Sequence, residues 1–361
     1  MGRRVMISPD LPLHSIFQKI SFPALIAALR KKVNDVVGEI VPAGSVCALL
    51  DFPNHANVGD SAIWLGEKKF LKSIGAKIAY ECDVVTYSQQ VLAERVGNGV
   101  ILLHGGGNFG DVWPTRQLFR EKVIKAFPEN KIVLFPQTIY FKERSNLMRA
   151  QEILNRHHNL VILARDKRSL EFARNEFKAP SALCPDMAFM LESLRRPIDP
   201  EEEILWLART DVESRGAISS LNGAYVRMTD WLEEQSTITD QVNRRLAKPI
   251  TRHPRVFGRL SPLISVLLDR LAWQRVARGT KLLSSSRVVI TDRLHGHILS
   301  VLLGIPHVVL DNNYGKLRDF VQTWTKACDL AFWADSTVEA LERAQFLAQD
   351  EQRAFALHDG A

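Results

Sequence analysis

Cysteine is scarce in this chain. The four in 361 residues, Cys47, Cys82, Cys184 and Cys328, lie far apart and form no Cys-x-x-Cys pair. That pattern argues against a zinc site and a disulfide framework, and it leaves a reducing compartment as the default. Long apolar runs are absent too: no segment approaches the ~18 consecutive apolar residues that a bilayer crossing needs. The start, Met1-Gly2-Arg3-Arg4, is basic, but no apolar stretch of signal-peptide type follows it. A soluble, cytoplasmic protein is the expectation. No histidine pair or acidic cluster falls at ligand spacing, so no metal is expected. There is no fixed-period repeat, no low-complexity tract, and no helix-turn-helix, zinc-finger or aromatic-interleaved RNA motif, so nucleic acid is not expected as a partner.

What the chain has is length and alternation. Its 361 residues, 46% of them hydrophobic, can bury two cores, and length alone favours two domains. Strand signals at residues 46–50, 99–104, 131–135, 160–164, 181–184, 204–208 and 288–291 alternate with helical patterns at 61–73, 117–127, 144–157, 167–177 and 298–303. Such alternation means βαβ units and parallel sheets, an α/β protein. The polar, proline-bearing stretch from Arg195 to Glu203 reads as a linker, which divides the chain into domains 1–195 and 201–361.

Ionisable groups gather where the strands end. The strand at 288–291 runs into Asp292-Arg293-Leu294-His295-Gly296-His297 and a helix stopped by Gly304 and Pro306. Free amides and the positive end of a helix favour an anion at such an elbow, and open α/β sheets bind ligands at the carboxyl ends of their strands. Recognition of a small, multiply charged anion is therefore expected there. A second elbow follows the strand at 99–104: His104, then Gly105-Gly106-Gly107-Asn108-Phe109-Gly110-Asp111, where successive glycines let a ligand approach the amides. A third follows 46–50, from Asp51 through His55 and Asn57 to Asp60, which is placed to cap the next helix. A further strand ends in Arg209. Turn chemistry alone would account for any one of these loops, but less readily for all of them.

The segment from Arg244 to Arg287 holds Arg244, Arg245, Lys248, Arg252, Arg255, Arg259, Arg270, Arg275, Arg278, Lys281 and Arg287 against one acid, Asp269, and accounts for the sign of the net charge of +7. A solvated basic face on a core-packing helix is the first reading. Docking on an anionic membrane is the second, at about 1 kcal/mol per basic residue near the surface. The stretch from His14 to Ile40 reads as a core-packing or interdomain helix, with membrane contact as the minority alternative.

At these residues the chain resembles the polysaccharide pyruvyl transferases. The likeness rests on ordered motifs: Asn57-Val58-Gly59-Asp60, His104-Gly105-Gly106-Gly107-Asn108, Pro136-Gln137, Ala164-Arg165-Asp166 with Ser169, Pro185-Asp186, and Asp292-Arg293-Leu294-His295. It implies two Rossmann-like domains with parallel sheets facing a cleft, as in the GT-B glycosyltransferase architecture. It also implies transfer of a pyruvyl group from phosphoenolpyruvate, the donor substrate, with no separate cofactor. The acceptor would be a polysaccharide or lipid-linked oligosaccharide, and the product a ketal, usually 4,6-linked. The family's donor-binding Arg-Leu-His motif falls on Arg293, Leu294 and His295, and a further donor arginine on Arg165. Asn57, His104, Gly106, Gly107 and Asn108 are the other expected substrate contacts.

Phosphate and carboxylate both match the planar fork of arginine. The proton that the enol carbon needs falls to His295, with His297 and His104 behind it; phosphate binding alone is the competing role for His295. Asp60 or Asp111 would be the base near the acceptor, unless Asp60 only caps its helix. A nucleotide-sugar glycosyltransferase and a non-catalytic polysaccharide-binding protein remain the alternatives at this point.

Overall fold

The computed structural model describes residues 19–209, 226–232, 241, 242, 245, 261–311 and 315–358. Two parallel sheets carry it. The first has seven strands: β1 (Val46–Leu50), β2 (Lys77–Cys82), β3 (Val100–Leu103), β4 (Gly106–Gly110), β5 (Ile132–Tyr140), β6 (Leu160–Ala164) and β7 (Ser181–Leu183), in the order β2-β1-β3-β5-β6-β7 with β4 paired to β5. The second has five: β8 (Glu202–Leu207), β9 (Val226–Thr229), β10 (Ser286–Thr291), β11 (His307–Leu310) and β12 (Ala331–Ala334), in the order β12-β11-β10-β8-β9. The central strands are near-continuous apolar runs because helices cover both faces.

Both sheets reverse their winding at an equivalent place. The chain steps outward from β1 to β2 and returns to the other side of β1 with β3; it steps from β8 to β9 and returns beside β8 with β10. Each reversal leaves a crevice at the carboxyl ends of the two strands it separates, the usual place for a ligand in such sheets.

Two elements differ from the sequence expectation. β5 runs on past Pro136, with a register shift between Leu134 and Gln137 where proline offers no N–H to the ladder. Its far end pairs with Gly106–Gly110, so part of the glycine run read as a turn is strand β4. Helix α2 (Val58–Ser73) begins three residues ahead of the expected start, and its cap is Asn57, whose side chain accepts from the Gly59 N–H, rather than Asp60.

The two halves share their interior. Helix α1 (Phe22–Ile40) buries Leu25, Ile26, Leu29, Val33 and Val37 along one face, and each large apolar side chain so covered contributes roughly 1.5–3 kcal/mol. That face is internal, which opposes the membrane alternative for it; residues 14–18 lie outside the described residues. Just before α1, Ile20 donates to the Ala327 carbonyl at 2.8 Å and accepts from the Asp329 N–H at 3.1 Å, so the start of the first half is tied to the end of the second.

Helix α7 (Ser261–Ser284) packs on α2 and corrects one reading of the basic segment. Arg275 and Arg278 form neither a solvated face nor a docking surface. Arg275 donates through Nη1 to the Pro53 carbonyl at 3.0 Å and is buried; Arg278 donates through Nη2 to Ala56 O at 2.6 Å and Trp231 O at 3.0 Å. They clasp the loop after β1. Arg270 and Lys281 are exposed, while Arg244, Lys248, Arg252, Arg255 and Arg259 lie outside the described residues.

Candidate active site

A cavity of about 360 Å³ opens where the two crevices meet, within the usual range for small-molecule sites of roughly 300–1,000 Å³. One wall carries His55 and Asn57 from the loop after β1, Asp60 from the start of α2, Gly107 and Asn108 from β4, and Trp113 and Arg116 from just beyond β4; Arg165 joins it from the end of β6. The opposite wall carries Arg209 after β8, Trp231 after β9, and Arg293, Leu294 and His295 after β10.

Arg165 and Arg293 are each held by a buried carboxylate. Arg165 donates through Nε to Thr138 Oγ1 and through Nη1 to Asp186 Oδ2, both at 2.8 Å, and its carbonyl accepts from Trp324 Nε1. Thr138 donates in turn to Asp166, which caps helix α6 (Lys167–Glu176). Arg293 donates through Nη2 to Asp230 Oδ2 at 2.5 Å and lies 5.9 Å from the Trp231 ring centroid. Rigid mounting of this kind preserves the planar fork for a ligand.

Asp186 also faces His295, its Oδ2 lying 3.4 Å from Nε2. Burial alone would raise the Asp186 carboxyl, but the charges of His295 and Arg165 and the Ala188 N–H hold it well below the usual carboxylate range. The other side of the imidazole lies against Gly59, where a Cβ would fall 2.3 Å from Nδ1. Only glycine at 59 lets the two halves approach so closely.

Asp60 accepts from Asn57 Nδ2 at 3.0 Å and lies 3.5 Å from His55 Nε2. Burial would raise it, yet the charges of His55, His295, His104 and Arg165 keep its pKa below the ordinary value. His55 is lowered as well: burial, Arg116, Arg275 and His104 lower it against the pull of Asp60, though a side chain 42% exposed blunts the shift.

His104 is not on the cavity wall. It is buried beneath the glycine loop, its Nδ1 2.8 Å from Glu67 Oε2, while Glu67 Oε1 accepts the Gly105 N–H at 2.8 Å. Burial would lower His104, but Glu67 raises it on balance, aided by Asp60 and Asp51. Gly106 also lies off the wall; its φ of +111° turns the chain there. Asp111 is spent elsewhere, accepting the Lys142 and Glu143 N–H groups at 2.7 Å at the start of α5 (Arg144–Leu154). His297 points away from the cavity, between His307 at 2.7 Å and Thr325 at 2.8 Å. Asn57, Asp60, Gly107, Asn108, Arg165, Arg293, Leu294 and His295 are brought together.

Sequence reasoning missed Asp186 and Asp230 as partners of the arginines, and Trp113, Arg116 and Trp231 as wall residues. Asp186 stood in a quoted motif and His55 in a quoted loop, and Arg209 was visible as a strand end. Asp230, Trp113 and Arg116 carried no signal, because only packing against another element brings them to the site. Among the described residues, no cluster of three or more His, Cys, Asp or Glu is arranged to hold a metal ion, and no helix is long and apolar enough to cross a membrane.

Residues 57–314 match the family described as polysaccharide pyruvyl transferase. The chain is 32% identical over 305 residues to pyruvyl transferase 1 of Schizosaccharomyces pombe, covering 78% of this chain and 70% of that one. It is also 32% identical over 299 residues to EpsO of Bacillus subtilis, which bears a provisional pyruvyl transferase name, covering 82% of this chain and 90% of that protein. A crystal structure of a functionally uncharacterised Klebsiella pneumoniae protein shares the fold, with a TM-score of 0.56 at 18% identity over 85% of this chain and 99% of that one.

Proposed function

The chain belongs to the polysaccharide pyruvyl transferase family, and from that premise we propose that it moves the pyruvyl group of phosphoenolpyruvate onto a terminal hexose of an exopolysaccharide, or of its lipid-linked repeat unit, as a 4,6-linked ketal with release of phosphate. The observation that carries this reading is the convergence of Arg165, Arg293 and His295, from two sheets, on one cavity. A donor with a carboxylate and a phosphate needs two rigid cationic forks and a proton source between them.

In this reading the donor's anionic groups lie between Arg165 and Arg293, with Arg209 beside them. His295, set against the Asp186 carboxylate, gives a proton to the methylene carbon, which becomes a methyl group. A sugar hydroxyl adds to the neighbouring carbon and loses its proton to a base. The carbon–oxygen bond to phosphate then breaks, a second hydroxyl adds to the same carbon, and its proton leaves with the phosphate. The lowered pKa of His55 keeps that imidazole neutral near pH 7, so the pair of His55 and Asp60 is the base on the acceptor side. Asn57, Gly107 and Asn108 shape the wall between the two substrates. His104 supports the glycine loop from below and does not touch the donor.

Arginine charge carries the anion here, so exhaustive chelation should leave turnover intact. Exposed Arg270 and Lys281 belong to the basic segment through which we propose contact with an anionic membrane bearing the lipid-linked acceptor. The deciding experiment measures phosphate release from phosphoenolpyruvate across β-linked galactosides, glucosides and mannosides. Acceptor-dependent release supports the reading; none with any acceptor, together with turnover of a nucleotide sugar, replaces it with glycosyl transfer.

A further inference from the structure

The cavity lining is chemically mixed. Arg165, Arg293, Arg209 and His295 suit a compact anion. Trp113 adds an indole to the same lining, with His55 and Arg116. Trp113 keeps 43% of its surface exposed, whereas Trp64, Trp206 and Trp231 are buried. An indole left open inside a cavity wall offers a flat apolar face with a polar edge, the surface on which a pyranose ring lays its C–H face while its hydroxyls stay hydrogen-bonded around the rim.

The backbone that carries that indole is anchored. Trp113 is the N-cap of helix α4 (Pro114–Ala126), and the following proline restricts its backbone. One turn on, Gln117 is buried and accepts the Gly110 N–H at 3.1 Å. Arg120, also buried, donates to Asn108 Oδ1 at 2.8 Å and stacks over Phe109 at 4.7 Å. The start of α4 is thereby fixed to the glycine loop, and the backbone that carries the ring is held at a set place along the cavity. Arg116, on the same turn, is anchored to Asp51 and the Phe52 carbonyl and lines the same wall. Asp51 holds a φ of +73° while buried at the end of β1, a strained backbone of the kind found where geometry matters.

We infer that Trp113 and Arg116 form the acceptor subsite: the indole stacks on a pyranose ring and the guanidinium donates to its hydroxyls, which sets the ring's 4- and 6-oxygens toward the donor. This rests on the pyruvyl-transfer reading for the identity of the donor. It makes Trp113 a specificity-determining residue that contributes to acceptor binding and not to donor binding.

The test compares the full-length chain with Trp113→Ala and Trp113→Phe, using phosphoenolpyruvate and a soluble β-hexoside. Trp113→Ala should raise the acceptor KM by about tenfold or more, with the donor KM within about twofold, and Trp113→Phe should recover most of the loss. Binding of the same hexoside without donor, followed by ligand-observed magnetisation transfer, should fall in Trp113→Ala and persist in Trp113→Phe. An unchanged acceptor KM, or equal rises for both substrates, overturns the subsite. If the wild-type chain transfers no pyruvyl group to any acceptor, that reading fails by itself. The binding arm then still decides: glycan binding lost with the indole upholds the subsite, and binding indifferent to Trp113, or absent, removes it.

Discussion

The two crevices have the same strand order and opposite chemistry. At the ends of β1 and β3 the chain places carboxylates and small residues: Asp51, Asp60, Glu67 beneath, and the glycine loop. At the ends of β8 and β10 it places Arg209, Arg293 and His295, backed by the neutral pair of His297 and His307. Each half also sets a carboxylate behind one of the two arginines assigned to the donor, and here they differ. Arg293 is held from its own half, by Asp230. Arg165 is held by Asp186, whose same oxygen faces His295 from the other half. A topology used twice can thus be specialised by what stands at its strand ends, and one shared carboxylate joins the two results.

The largest effect should come from removing that shared group. Asp186→Asn leaves Arg165 and His295 without the charge that orients both, and turnover should fall by a hundredfold or more, about the scale of general acid catalysis. Thermal stability should fall as well, since breaking a buried ion pair from one side costs about 3–5 kcal/mol. Steady-state kinetics with a melting curve check this, and near-normal turnover would dissolve the distinction between the two carboxylates.

Asp230→Asn should do less. Only Arg293 loses its holder, so the donor KM should rise about tenfold, roughly 1.4 kcal/mol, while turnover stays within a few-fold. If turnover falls as far as it does for Asp186→Asn, the two arginines are equivalent and the comparison fails.

A smaller effect tests the carboxylate-rich crevice. Arg116 is among the cations that lower His55, so the acid limb of kcat/KM should lie below pH 6.5, the ordinary imidazole value, toward about 4. Arg116→Gln should move that limb to higher pH. An unmoved limb would take His55 out of the role of base.

The smallest effect lies behind the cationic crevice. Burial lowers His307 to about 4 and pushes His297 well below its usual value, with the His307 charge adding to the latter. The unfolded chain takes up these protons below about pH 6.5 and the folded chain does not, so stability present above that pH is lost as it falls toward 4. The drop in Tm between pH 7.5 and pH 5 should be smaller in His307→Gln than in the parent chain. An equal drop would mean that this pair does not set the acid sensitivity.

The sequence by itself determined the alternation of strand and helix, the elbows, and the grouping of Arg293, Leu294 and His295, because apolar periodicity and the residues at a strand's end are local properties of the chain. It also marked Asn57 and Asp60 as neighbours at a helix start, although the cap passed to Asn57 once the helix began three residues early. Tertiary structure decided what contacts at a distance decide. Whether His104 reaches the cavity depends on Glu67, 37 residues away, and whether Arg275 meets solvent depends on Pro53, 222 residues away. Asp186 serves both Arg165 and His295 because two sheets with the same order face each other, and no period or spacing in one sheet encodes the position of the other. A histidine's charge and an arginine's direction are set by the field and hydrogen bonds of whatever packs against them, which exist only after the two crevices have met.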